Sequence, residues 1–148
     1  MMLNSIYLTV ADINMKHLLI ILALLLTACA TEQTKIHSTQ LLKTTTTWDG
    51  KPVHYPTDKP AEVTALIIEI PVGGETGWHH HPVPSFAYIV DGLLDVKLKD
   101  GSINHLKAGD PLVEVVNTSH NGKNVGNVPV KIMVFYAGTQ NTKLTIKD

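Results

Sequence analysis

The chain has 148 residues with twelve basic and thirteen acidic side chains, a formal net charge of −1 and no run of like charge, which argues against a nucleic-acid partner. With 44% hydrophobic residues its length suits one domain with a single core plus an extension. All twelve basic residues are lysine, so the planar guanidinium fork that clamps carboxylates and phosphates in bidentate fashion is absent.

In chain order the first feature is "MKHLLIILALLLTAC", residues 15–29, with a short basic start, nine apolar residues from Leu18 to Leu26 and small residues before a cysteine. That is the anatomy of a secretory signal, and the apolar run is too short for a permanent membrane-spanning helix. The expected processing is a signal peptide over 1–28, with Met15 as the start and 1–14 as an upstream extension that carries Asp12 and no basic residue. The ending "LTAC" resembles the lipobox of bacterial lipoproteins, which implies cleavage before Cys29 and its acylation. Cys29 is the only cysteine in the chain and so has no intramolecular disulfide partner. The alternative is an incidental thiol at the end of an ordinary signal. By the lipoprotein resemblance the mature protein is exported and membrane-associated through its lipid anchor alone. Ala30 is not the aspartate that retains enterobacterial lipoproteins in the inner membrane, which points to the periplasmic side of the outer membrane.

Residues 29–40 read as a polar tether, and 41–148 as one all-β domain. "LLKTTTTW" (41–48), "EVTALIIEIP" (62–71), "SFAYIV" (85–90), "LLDVKLK" (93–99), "SINHLK" (102–107), "PLVEVV" (111–116), "PVKIMVFYAG" (129–138) and "TKLTIK" (142–147) are strand-like. Turn chemistry separates them at "WDGKP", "PVGGETG", "DG" (91–92), "DG" (100–101), "AGD" (108–110) and "NGKNVGN". Many short strands without a helical period predict a sandwich or barrel. No internal repeat and no second domain is visible.

Residues 77–92, "GWHHHPVPSFAYIVDG", hold three consecutive histidines before a strand. Alternation puts His79 and His81 on one face and turns His80 away. Five residues separate Gly73 from His79; His81 follows after one, Ser85 after three more and Gly92 after six more. Five residues likewise separate Gly109 from Val115, with Asn117, His120 and Asn124 following at spacings of one, two and three intervening residues. The two patterns resemble the cupin signatures GxxxxxHxHxxxExxxxxxG and GxxxxxPxGxxHxxxN. Three departures stand out: Ser85 where the family has glutamate, Val115 for proline, and Asn117 for glycine, which asparagine can replace in the left-handed backbone region. The resemblance implies a double-stranded β-helix, or jelly-roll barrel, that hosts many chemistries.

A divalent transition metal takes neutral imidazole nitrogens at about 2.0–2.2 Å from rigid elements. His79 and His81 supply two and His120, expected in the turn after a distant strand, a third. The ion would be Fe, Mn, Ni, Cu or Zn. The alternative is a surface pair on an edge strand and a plain turn histidine. His54 and His105 have no matching partner and read as surface residues. For the missing carboxylate, alternation puts Leu112, Glu114 and Val116 on one face, which the family pattern makes the interior; Glu114 is then a fourth ligand or acid–base group. If the strand is turned the other way, Glu114 is solvated. Glu75 is the second candidate. Ser85 and Trp78 are candidate pocket residues; Trp78, Phe86 and Tyr88 fit either a pocket wall or packing.

Two functions stay open: a dioxygenase-like metalloenzyme acting on a small organic molecule, similar to quercetinase-like cupins, or a metal- or ligand-binding domain without turnover. Three-histidine thiol dioxygenases are a precedent for losing the glutamate, but they hold the substrate carboxylate with arginine, which this chain lacks. A homodimer is a further expectation.

Overall fold

The computed structural model describes residues 35–148, and the unit Thr39–Asp148 consists of strands and loops, with no helix among the described residues. The expected signal peptide over 1–28 and the lipid anchor Cys29 lie outside the described residues. Along the chain run β1 (Ala61–Ile70), β2 (His79–His80), β3 (Ser85–Asp91), β4 (Leu93–Leu98) and β5 (Ile103–Lys107). They are followed by β6 (Pro111–Val113), β7 (His120–Asn124), β8 (Val130–Thr139) and β9 (Ile146–Lys147).

All pairings are antiparallel and build two sheets, β1-β8-β3-β6 and β5-β4-β7-β2-β9. The chain passes from one sheet to the other at almost every step; only the β4–β5 hairpin stays within a sheet. That winding is a double-stranded β-helix, so the all-β expectation holds. Period-two alternation explains it locally. On β8, Val130, Ile132, Val134 and Tyr136 are buried while Lys131, Met133 and Phe135 are exposed; on β4, Leu94, Val96 and Leu98 turn inward. Apart from Leu98, these side chains, with Ile70, Val83, Ile89, Leu106 and Leu112, make one core between the sheets, each contributing on the order of 1.5–3 kcal/mol of burial energy.

The turns are tied to the sequence signals. At Gly92, between β3 and β4, φ is 87° and an added Cβ would stand 2.9 Å from the Val130 backbone, so a side chain there meets both strain and overlap. Asn117 has φ 52°, and its N–H donates to the His81 carbonyl at 2.8 Å, holding the loop before His120 against the loop after β2. Asn124, 2% exposed, donates to the Ile70 and Val128 carbonyls at 3.0 and 2.8 Å and accepts from the Gly126 N–H at 2.9 Å. Those bonds latch three chain segments together and satisfy a fully buried amide.

Four local expectations are corrected. Residues 41–48 form no strand; only a Thr46–Pro52 bridge closes a turn there, because Thr44 and Thr47 hydroxyls bond their own neighbourhood instead of a ladder. β6 ends at Val113 and β9 covers only Ile146–Lys147. "NGKNVGN" is not a turn at its start, since residues 120–124 form β7. Gly122 sits on that strand because the interior is narrow at its position: an added Cβ would lie 3.3 Å from Thr76 Cγ2.

Candidate metal centre

His79 opens β2 and pairs across the ladder with His120, which opens β7; His81 follows β2 directly. His120 therefore stands on a strand rather than in a turn, a correction that gives it a rigid base. All three side chains are buried, at 7%, 6% and 2% exposure. Their ring centroids are 4.4 Å apart for His79–His120, 4.9 Å for His79–His81 and 5.0 Å for His81–His120. One nitrogen from each ring lies within 4.8 Å of the other two.

The other nitrogen of each ring is bound to a backbone carbonyl: His79 Nδ1 to Gly77 O at 2.7 Å, His81 Nδ1 to Leu144 O at 2.8 Å and His120 Nδ1 to Thr118 O at 2.9 Å. A carbonyl only accepts, so each Nδ1 carries the proton, and Nε2 is the nitrogen of each ring left free of the carbonyls. Three lone pairs then converge with their tautomers already set, the outer arrangement that metal-binding histidines use. Burial dominates the proton affinity of His79 and His81 and pulls both below the ordinary value, the carbonyl bonds opposing it and the nearby His120 adding to it. His81 is lowered to about 4. Both rings are thus neutral near pH 7, the form a metal binds.

Glu114 lies just past β6 and is buried. Its Oε1 accepts from Trp48 Nε1 at 2.6 Å and from the Val115 N–H at 2.9 Å; its Oε2 is 3.8 Å from His120 Nε2. Ser85, 2% exposed, faces the same interior, and the Glu114 N–H donates to the Ser85 carbonyl at 3.0 Å. The only carboxylate beside the histidines among the described residues thus stands one strand over from the serine. Histidines, Ser85, Glu114 and Tyr136 line a cavity of about 70 Å³ whose remaining wall is largely aliphatic.

Glu75 and Trp78 are corrected. Thr76 and His79 line the cavity, while Glu75 and Trp78 lie outside it, with the left-handed turn at Gly77 between Thr76 and Trp78. Glu75 is exposed, pairs with Lys123 at 2.8 Å and accepts from Asn121 Nδ2 at 2.9 Å; the Lys123 bond leads the lowering of its pKa. Trp78 carries the Lys99 ammonium 3.9 Å above its ring, outside the cavity. His80 also turns away, with Nδ1 3.4 Å from Asp148 Oδ1. Phe86 packs on Tyr55, and Phe86 and Tyr88 sit on the outer face of β3. His54 is exposed, and His105 bonds Asp95 at 2.7 Å. Two residues escaped the sequence reading. Tyr136, its ring 5.2 Å from His81, shares the inward face of β8 with Val134, so alternation could have found it. Burial, first of all, raises its pKa, which keeps the phenol protonated. Trp48 had no signal, because its partner is 66 positions away in sequence.

The donor set fits a divalent transition metal: three buried imidazoles, each with Nδ1 tied to a carbonyl, and a carboxylate beside them. Residues 66–136, just under half the chain, match the family model described as "Cupin domain". No curated protein matches. Among solved structures, oxalate decarboxylase from Lactobacillus farciminis, a formate complex, is 24% identical with a TM-score of 0.51 over 57% of this chain and 26% of its own. BH2720 from Bacillus halodurans is 24% identical over 57% of this chain and 69% of its own, with a TM-score of 0.49. The DMSP lyase DddQ from Ruegeria pomeroyi is 18% identical over 66% and 46%, also with a TM-score of 0.49. The chain spans about a quarter of the decarboxylase and under half of the lyase, and at 24% identity the likeness to the decarboxylase is one of fold.

Proposed function

Taking the barrel as a cupin domain, which the match over residues 66–136 and the two-sheet winding support, we propose that the protein binds one divalent transition metal through His79, His81 and His120. On this reading it acts on a small organic molecule as a dioxygenase-like, metal-dependent oxidoreductase. The observation that carries the metal site is the set of three Nδ1–carbonyl bonds, which leave three Nε2 lone pairs free in one buried place. When bound, the ion supplies Lewis acidity and open coordination positions. The chain's own residues do the rest. His79, His81 and His120 would hold the ion, Oε2 of Glu114 would accept or return a proton beside it, and the Tyr136 phenol would offer a hydrogen bond to a bound molecule. Aliphatic side chains from both sheets exclude water. A second reading, a metal- or ligand-binding domain without turnover, is favoured by the small size of the cavity, about 70 Å³.

Metal analysis of the protein purified from its own compartment tests the proposal, with oxygen uptake measured against flavonoids, thiols and diketones. About one transition ion per chain is expected. A protein that carries none and takes none up on reconstitution would end the metalloenzyme reading and the metal-binding form of the second. Turnover of any member of the panel selects the enzyme; stoichiometric metal with no oxygen consumption selects the binding domain.

We also propose export and lipid anchoring at Cys29, supported by the apolar run Leu18–Leu26 and the lipobox-like "LTAC". Palmitate labelling is expected in the parent and absent in Cys29→Ser. Labelling that survives the substitution points to another site and removes this part of the proposal.

A further inference from the structure

Trp48 belongs to a turn outside the segment that matches the family model, residues 66–136. The turn is stiff. Thr47 N–H donates to Lys51 O at 2.9 Å, Gly50 N–H to Thr47 O at 2.9 Å and Val53 N–H to Thr45 O at 2.9 Å. The Thr47 hydroxyl bonds Asp49, and the Asp49 carboxylate pairs with Lys51 at 2.9 Å. The turn is docked on the barrel by the Trp48 N–H, which donates to Val113 O at 3.1 Å, one residue before Glu114. From there the indole reaches the buried carboxylate, Nε1 to Oε1 at 2.6 Å.

We infer that Trp48 is a positioning residue of the metal centre: its indole N–H holds Oε1 of Glu114 so that Oε2 alone faces the site formed by the three histidines. The inference rests on the metal-binding reading above. An indole N–H is a donor only, and with the Val115 N–H it places two donors on Oε1. Oε2 is left turned to His120 Nε2 at 3.8 Å. Glu114 therefore presents one oxygen, not two, and its rotamer is set before any ion arrives. Ser85 stands where the cupin pattern has a glutamate; here the carboxylate comes from the neighbouring strand position and is aimed by a residue from outside the matched domain. Outer-shell partners of this kind are worth about 10–100-fold in metal affinity.

Co2+ is the probe, with affinity read by competition and geometry by its visible absorption, on the parent, Trp48→Phe, Glu114→Gln and the double variant. Trp48→Phe keeps an aromatic ring but loses the donor. It is expected to bind one Co2+ about tenfold more weakly, with a shifted visible band. In the Glu114→Gln background the same change is expected to add nothing, because the indole acts only through the carboxylate. Parent-like affinity and spectrum in Trp48→Phe, or a weakening that adds in full to that of Glu114→Gln, overturns the inference while leaving the metal site standing. A parent chain without histidine-dependent Co2+ binding overturns both. Should Trp48→Phe fail to fold, site-specific incorporation of benzothienylalanine at position 48 replaces the N–H by sulfur at nearly constant shape, with the same two outcomes.

Discussion

Alanine at His79, His81 or His120 lowers Co2+ affinity by more than about 100-fold each, whereas His80→Ala leaves it within about twofold of the parent; loss of a mere outer-shell partner already costs 10–100-fold. The asymmetry follows from one peptide unit of geometry. His79 and His81 are buried with Nδ1 tied to a carbonyl, so each can offer Nε2 inward; His80 turns out toward Asp148. Removing one inward ring leaves two ring nitrogens and a carboxylate, too few strong donors to hold a labile ion through desalting. Because the rings are buried, each alanine also opens a void. His79→Gln, His81→Gln and His120→Gln are therefore measured alongside, with circular dichroism to verify the β-fold. Equal damage from His80→Ala, or retained stoichiometric metal in any of the three, contradicts the assigned ligand set.

Acid destabilises the metal-free protein between pH 6.5 and about 4, with His81 as a principal cause. Its folded pKa is lowered to about 4 by burial against an ordinary 6.5. Between those values the unfolded chain binds a proton that the folded chain refuses, so stability rises with pH through the window. It is fully present above pH 6.5 and lost as pH falls toward 4. At about 1.4 kcal/mol per pKa unit the His81 contribution is roughly 3 kcal/mol; His79, also lowered by burial, acts in the same direction. Urea unfolding in the presence of a chelator, at steps from pH 7.5 to 4.5, reads the slope while staying above most carboxylate titrations. His81→Gln is expected to flatten it substantially. An unchanged slope in that variant assigns the acid sensitivity elsewhere. Bound metal steepens the same dependence, because protons compete for the ring nitrogens.

Much of the fold was legible in the sequence, for a local reason. Period-two alternation in "PVKIMVFYAG" and "LLDVKLK" is a direct image of one strand face turned to the core, and "DG" at 91–92 marks a turn whose φ only glycine adopts freely. The strands it mistook are those where a local signal had a nonlocal cause. Gly122 looked like turn chemistry but lets β7 pass close to Thr76, and the threonines of 41–48 looked like a strand but bond to themselves. Histidine spacing carried the three-histidine cluster because those residues sit at fixed offsets from glycines and an asparagine that shape the backbone, and Asn117 at φ 52° takes the conformation expected of that motif position.

By itself, then, the sequence determined what depends on residue type and short spacing: an all-β chain, its inward-facing aliphatics, three histidines in two motifs and the absence of arginine. Tertiary structure decided whatever depends on strands meeting across the barrel. It turned Glu114 inward and Glu75 outward, a choice that a one-residue register shift reverses and no local pattern secures. It placed Glu114 one strand over from Ser85, set all three histidine tautomers through carbonyls of Gly77, Thr118 and Leu144, and brought Trp48 to a carboxylate 66 positions away. A hydrogen bond acts over about 3 Å and is indifferent to separation along the chain, so Leu144 and Trp48 could be recognised only once the strands between them were in place.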